Sequence, residues 1–412
     1  MYNKNVKRNL MYGLAILTFG LFFFLLQTFN SPASRTGVLP SNVDTPTSQN
    51  TPVPAKEKEY KSGLFPTKPS MIKSSYSKTV YEDSKYDYKK VTFNNKRLGA
   101  SKGASSVIML MAIGGKNSYG SGKTFDDLFE TLSSMNYPKN SISYGISVGD
   151  SEEFENIKVY FENYFQQLDI IKGSTDSKLT EFISKVTLIS APFIDREFES
   201  LNRENRKDDH AQRLRRRAIA RARNFVLLNS LDTEQYTFFI DADIIKIEHP
   251  EMLNEFINSD KDIVVPRITK PGNNDYDRNS WRGERTKPTE EQLTKMDKNE
   301  WESWDYVPRP VSGKTYFFYQ FVLETDNLPQ DDEKKQPNYL IELDSVGGCI
   351  LFAKSIVYKQ GVVFPPNYII GTTWDRLEGY DGIETEGVCY IAKSMGYSCW
   401  GMPNLVGVHS ND

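Results

Sequence analysis

Hydrophobic positions in this chain follow two regimes. Leu10 to Phe29 is an apolar stretch of 20 residues without a charge, and from Ser105 onward short apolar runs alternate with amphipathic ones. At 1.5 Å per residue the first stretch reaches about 30 Å, the thickness of a hydrocarbon core, which predicts a transmembrane helix over residues 10–29. A cleaved signal peptide has a shorter apolar core and a small-residue cleavage motif, so an uncleaved anchor fits better. Lys4, Lys7 and Arg8 precede the stretch, whereas Arg35 is the first basic residue after it. Residues 1–9 are therefore expected in the cytosol and everything past Phe29 in a lumen or outside the cell.

In the second regime, Val107 to Ile113, Ser141 to Val148, Lys185 to Ile189, Thr237 to Ile240, Ile263 to Pro266 and Ile350 to Ala353 read as strands. Thr124 to Met135, Glu152 to Leu168, His210 to Ser230, Pro250 to Asn258 and Val388 to Met395 read as helices. This alternation predicts an α/β domain over residues 103–412, with a mostly parallel sheet covered by helices. Tyr316 to Leu323, YFFYQFVL, reads as a core strand, with an exposed contact patch as the alternative. Residues 30–102 read as a luminal stem. Pro, Ser, Thr and Lys crowd its first part, to about Pro69, which cannot bury enough surface to offset chain entropy. Tyr76, Tyr81, Tyr86 and Tyr88 among lysines leave open whether its last part wraps the domain.

Composition narrows the function classes. Hydrophobic residues at 38% and aromatics at 13% suffice for a packed core, and a net charge of -3 argues against a nucleic-acid binder. Cys349, Cys389 and Cys399 lack zinc-like spacing and cannot all pair; they read as buried thiols, with a Cys389 to Cys399 disulfide as the alternative. No internal repeat, Gly-x-Gly-x-x-Gly or phosphate-loop motif occurs, so a nucleotide would be held through metal and side chains.

The chemistry concentrates in Thr237 to Pro250, TFFIDADIIKIEHP, where a strand ends in Asp241-Ala242-Asp243 and a helix start follows. Buried strands carry ligands beyond their carboxyl ends, and residues i and i+2 face one side. Both carboxylates can then face one Mg²⁺ or Mn²⁺ whose shell is completed by phosphate oxygens. In the arginine helix before it, HAQRLRRRAIARARNFVLLNS, a wheel puts Leu214, Ala218, Ile219, Ala222, Phe225 and Val226 on the sheet face. Arg221, Arg223 and Asn224 lie nearest the strand and are the candidates for phosphate contact; the other arginines read as a solvated, ion-paired face. Gly347-Gly348 follows Asp344, either as a simple turn or as a close approach to a ligand whose sugar hydroxyls Asp344 would hold. Glu384 and Glu386 stand at a helix entrance, complementing its dipole or facing the reacting carbon. His409, following Leu405 to Val408, is either structural or a third metal ligand.

The order RRRAIARARNFVLL, FFIDADI, LDSVGG, GIETEGVCYIAK and GMPNLVGVH resembles the fungal mannan polymerase family of Golgi α-1,6-mannosyltransferases, glycosyltransferase family 62. NRENRKDDHAQRLRRR and DYDRNSWRGERTKPTEEQL resemble most its vanadate-resistance-type subunit. The resemblance spans residues 105–412. It implies a GT-A, Rossmann-like fold, GDP-mannose as donor, Mn²⁺ held by Asp241, Asp243 and His409, and a paralogous subunit as partner. It also implies a single-pass type II Golgi membrane protein with its catalytic domain in the lumen, acting on the mannan of N-glycans. An α-linked donor giving an α-linked product means retention, which leaves Glu384 and Glu386 for acceptor orientation or ion pairing, and Asp344 for the mannosyl group. A structural subunit whose partner performs the transfer is the alternative.

Overall fold

Strand β3, Val107–Ile113, explains how the layers arise. Alternate side chains of a strand point to opposite faces, and here Val107, Met109, Met111 and Ile113 enter one hydrophobic cluster while Ile108 and Leu110 enter another. Its neighbours β4, Ile142–Val148, and β6, Tyr236–Ile240, are likewise buried on both faces. Such strands belong inside a sheet covered on both sides.

The computed structural model describes residues 74–97, 105–171, 181–193, 209–300 and 306–411. All of them lie in one compact unit, Met71–Asp412. The expected cytosolic tail, the anchor over 10–29 and the first part of the stem fall outside the described residues. Among the described residues no helix is long and apolar enough to cross a membrane.

The remaining strands are β1 Tyr76–Asp83, β2 Tyr88–Asn95, β5 Lys185–Ser190, β7 Ile244–Ile247, β8 Ile263–Thr269, β9 Trp281–Arg285, β10 Pro310–Phe317, β11 Ile341–Leu343, β12 Ile350–Lys354 and β13 Cys399–His409. Helices are α1 Phe125–Ser133, α2 Ser151–Ile170, α3 Asp209–Ser230, α4 Met252–Asn258, α5 Glu290–Asp297, α6 Phe318–Leu323, α7 Ser355–Lys359 and α8 Glu384–Ser394. Local signals set several helix starts. The carboxylate of Asp127 accepts from Thr124 N–H at 2.9 Å ahead of α1, and Asp150 accepts from Glu153 N–H at 2.7 Å ahead of α2.

One sheet of 11 strands runs β1-β2-β5-β4-β3-β6-β12-β8-β13-β11, with β7 paired to β13; β9 and β10 form a separate ribbon. The expectation of a mostly parallel sheet needs correction. Only β5, β4, β3 and β6 form a parallel block, with β8 and β13 a further parallel pair. Strand β12 lies antiparallel between β6 and β8. After β8 the chain passes through the β9–β10 ribbon, α6 and the edge strand β11, and its next strand begins with Ile350 opposite Ile240, the last residue of β6, so β12 runs backwards.

Two further expectations change. Residues 74–97, placed in the stem, form the β1–β2 hairpin, and β2 extends the sheet antiparallel to β5. The segment Tyr316 to Leu323 is not one strand: β10 ends at Phe317 and α6 follows. Phe318 and Phe321 are buried while Tyr316 and Leu323 are exposed. That i, i+3 burial is a helical face, which a run apolar on every side concealed.

Candidate functional site

Strand β3 has β4 on one side and β6 on the other, so the order reverses between β3 and β6. In open α/β sheets ligands bind beyond the carboxyl ends at such a point. Asp241 immediately follows β6, and its backbone N–H donates to Cys349 O at 2.9 Å, tying it to the start of β12. Two residues on, Asp243 O accepts from Ser410 N–H at 2.9 Å. The pairing of β13 with β7 shifts register between Val408 and His409, and such irregularities re-aim side chains. Here His409 Nε2 lies 3.0 Å from Asp243 Oδ2. Its Nδ1 donates to Ser410 O at 2.7 Å, which fixes the ring orientation. Tyr276 covers the imidazole, with ring centroids 4.4 Å apart. Burial disfavours the charged imidazole, but the hydrogen bond and charge of Asp243, the bond to Ser410 O and the charge of Asp241 together outweigh it, and the His409 pKa is raised.

Arg223, buried on α3, organises the other side. Its Nη2 bonds Asp241 Oδ1 at 2.8 Å and Gly348 O at 2.9 Å, and its Nη1 bonds Glu384 Oε1. Desolvation and the charges of Asp243 and Asp277 nevertheless hold the Asp241 carboxyl above its usual range, against the pull of Arg223. The two glycines answer to two different side chains. A Cβ at Gly348 would collide with the Arg223 guanidinium, and one at Gly347 with the Asp277 carboxylate. Asp277 Oδ2 accepts from Gly348 N–H at 2.9 Å and Cys349 N–H at 3.2 Å. Sequence reasoning missed Asp277, although Asp275-Tyr276-Asp277 is itself an acidic pair with one residue between. Cys349 stays a neutral thiol: burial raises its pKa, helped by Asp277, Asp241 and Asp243.

Glu384 opens α8 with φ 56°, a left-handed conformation unusual for a residue with a side chain. Such strain concentrates at functional sites. Desolvation raises its pKa even though Arg223 and Arg216 oppose it. Glu386 behaves oppositely. It is clamped by Arg216 at 2.9 Å and Arg285 at 2.8 Å, and these charges overcome its desolvation to depress its pKa. Asp381 has no such clamp; burial, with the Glu386 charge beside it, pushes its carboxyl up to about 6. Arg217 pairs with Glu378 at 2.9 Å. The arginines expected on a solvated, ion-paired face thus form, for Arg216 and Arg217, a part-buried seam against α8 and the loop before it, and Arg223, a candidate for phosphate contact, joins that seam through Glu384.

Other candidates fall elsewhere. Asp344 accepts from Gly283 N–H at 2.7 Å and from Lys393 Nζ at 2.6 Å, joining β9 to α8 rather than facing Asp241. Asn224 clamps the backbone of Phe364, donating to its O at 2.7 Å and accepting from its N–H at 3.0 Å. Arg221 is exposed, with its guanidinium 5.1 Å from the Phe193 ring. The helical wheel also needs revision: Leu214 is 38% exposed, whereas Ala220, Arg223 and Leu227 are buried. Helix α3 is covered by α8 as well as by β3 and β4, so its buried arc is wider than one sheet would require.

Two carboxylates and an imidazole at a strand end suit a hard, imidazole-tolerant divalent cation. Asp243 and His409 already converge. Asp241 is turned to Arg223, and among the described residues no three His, Cys, Asp or Glu side chains stand at metal-binding geometry. The cysteine pair is settled otherwise than as free thiols. Cys389 on α8 and Cys399 on β13 are disulfide-bonded, with Cα atoms 6.1 Å apart.

A family model described as Anp1 matches residues 83–368. The mannan polymerase complex subunit mnn9 of Schizosaccharomyces pombe is 24% identical over 335 residues, 79% of this chain and 86% of that protein. The mannan polymerase I complex VAN1 subunit of Saccharomyces cerevisiae is 26% identical over 215 residues, 49% of this chain and 35% of that protein. Among solved structures, GalNAc-T7 with UDP, GalNAc and Mn²⁺ aligns over 74% of this chain and 43% of its own, at 12% identity and a TM-score of 0.38. At that score the likeness carries no argument.

Proposed function

Because the chain belongs to the Anp1 family, we propose that it is a GDP-mannose-dependent α-1,6-mannosyltransferase of GT-A type that extends the mannan backbone of N-linked glycans. It acts with retention, with Mn²⁺, and as one subunit of a mannan polymerase complex. Relatives named as subunits of such complexes support the reaction class and the partner. The observation that carries the reading is the approach of His409 Nε2 to Asp243 Oδ2 at 3.0 Å, beside Asp241, at the switch point of the sheet.

Asp241, Asp243 and His409 would hold the ion, which supplies neutralisation of the charge developing on a diphosphate leaving group. The chain's own residues prepare that geometry. The Nδ1–H bond to Ser410 leaves Nε2 facing Asp243, and Arg223 fixes the orientation of Asp241 while sharing its positive charge with Glu384. Retention needs no carboxylate to activate the acceptor from the opposite face. That agrees with Glu384 and Glu386, both engaged by arginines. Asp277 holds the Gly348-Cys349 backbone that in turn holds Asp241.

The Cys389–Cys399 disulfide supports an oxidising compartment, in keeping with a type II Golgi membrane protein anchored by residues 10–29. The chain contains no Asn-x-Ser/Thr sequon, so engineered ones report topology cleanly. A sequon near Ser48 gains a glycan if the domain is luminal, and one before Lys7 does not.

One observation favours a second reading, a scaffolding subunit whose partner performs the transfer: Arg223 already neutralises Asp241. The test is transfer from GDP-mannose, with Mn²⁺ or a chelator, by the detergent-purified complex carrying Asp243→Asn in this subunit alone. Loss of transfer with the complex intact supports the enzyme reading. Full transfer establishes the scaffold.

A further inference from the structure

The β1–β2 hairpin, β5 and α3 enclose a cleft of about 420 Å³ that the proposed catalytic residues do not line. Aromatic rings form its walls. Tyr81 and Tyr86 are 59% and 70% exposed, and Phe193 meets Phe225 edge to face at 5.1 Å. The polar groups among them include the carboxylates of Asp83 and Asp87, the hydroxyl of Ser190 and the amide of Asn229, whose Oδ1 accepts from Tyr88 Oη at 2.8 Å.

We propose that this cleft is a non-catalytic subsite for a neutral α-linked manno-oligosaccharide, the growing acceptor chain. Pyranose rings present apolar C–H faces that stack on aromatic rings and hydroxyls that donate to carboxylates and amide oxygens. The carboxylates of Asp83 and Asp87 are balanced by Lys85 over the Tyr86 ring and Arg221 over the Phe193 ring, so the cleft favours neither sign of charge and its chemistry suits an uncharged polyhydroxylated ligand. Position supplies the second argument. Ser190 and Phe193 lie at and beyond the carboxyl end of β5, and Asp241 lies beyond that of β6, on the same edge of the parallel block. Three strand-to-strand steps of about 4.8 Å separate β5 from β6, roughly 14 Å, which a few linked hexoses span. Helix α3 connects the two places, with Phe225 and Asn229 in the cleft and Arg223 on Asp241. The assignment of mannan as ligand rests on the mannosyltransferase reading; the cleft as a sugar site does not.

The test uses the full chain in mild detergent and α-1,6-linked mannohexaose, with binding measured by saturation-transfer NMR and calorimetry in the absence of GDP-mannose and Mn²⁺. The variant is Tyr81→Ala with Tyr86→Ala, both exposed and therefore harmless to the core. Mannohexaose affinity should fall about tenfold or more in this variant and stay unchanged in Asp241→Asn. In the transfer assay KM for the hexaose should rise while KM for a mannobiose acceptor and kcat for both hold. Failure of all transfer would refute the catalytic reading yet leave the binding arm intact. Absence of hexaose binding by the wild-type chain, equal binding by the tyrosine variant, or loss confined to Asp241→Asn would each overturn the cleft assignment.

Discussion

Gly348 and Arg223 are packed so tightly that a Cβ at position 348 would fall within the guanidinium group. The only way to admit a side chain there is to move Arg223 off Asp241 and Glu384. Gly348→Ala should therefore cost about 1–3 kcal/mol of stability through overpacking. It should also reduce transfer more than its melting point alone explains. Thermal unfolding and an activity assay on the same preparation check both; an unchanged pair of values would mean that Arg223 shifts freely.

Asp243→Asn and His409→Ala should each lower Mn²⁺-dependent transfer by about 100-fold or more, since a bound metal ion contributes several kcal/mol at a developing anion. Asp243 has a 34% exposed side chain, so the metal-free melting temperature of its variant should stay near wild type. Added Mn²⁺ should raise the wild-type melting temperature and leave that of Asp243→Asn unmoved.

Glu386→Gln removes the shared partner of Arg216 and Arg285. Breaking a buried ion pair from one side costs about 3–5 kcal/mol. Because the folded pKa of Glu386 lies below the ordinary value of 4.5, its stabilisation is complete above that value and is lost as pH falls through the folded pKa. Urea midpoints across pH should show the gap between wild type and Glu386→Gln closing on acidification.

Asp381 should behave in the opposite sense. Its folded pKa, about 6, exceeds the ordinary 3.8, so between these values the folded state retains a proton that the unfolded state gives up. Stability then declines as pH rises through this window and stays reduced above it. Asp381→Asn keeps an acceptor for Gly382 N–H and should stabilise the protein at pH 7 by on the order of 2–3 kcal/mol. The gain should vanish below pH ~4, where both carboxyl states are protonated. A gain independent of pH would show that charge is not its origin.

Reduction of the Cys389–Cys399 bond, or Cys399→Ser, should lower stability by about 2–4 kcal/mol. Peptide mapping without reductant should recover the two cysteines on one linked fragment. A wild-type protein from its native membrane with both thiols free would overturn the pairing.

The secondary structure and the centre of the site were largely legible in the chain because their causes are local. Two-sided burial makes β3, β4 and β6 continuous apolar runs, and a strand end marked by Asp241 and Asp243 is a feature of consecutive residues. What sequence could not reach depends on partners far along the chain. The backward insertion of β12 follows from where the chain re-enters the sheet. Arg223 was a candidate beside Arg221 and Asn224; only packing against Asp241, Glu384 and Gly348 separates it from a neighbour on the Phe193 ring and another on the Phe364 backbone. Asp277 entered through the shape of a turn 70 residues downstream, where two glycines leave room for it and for Arg223. Residue spacing determined which groups could act at the carboxyl end of β6. Long-range packing, in which a buried charge must find its counter-charge wherever the fold brings one, decided which of them meet.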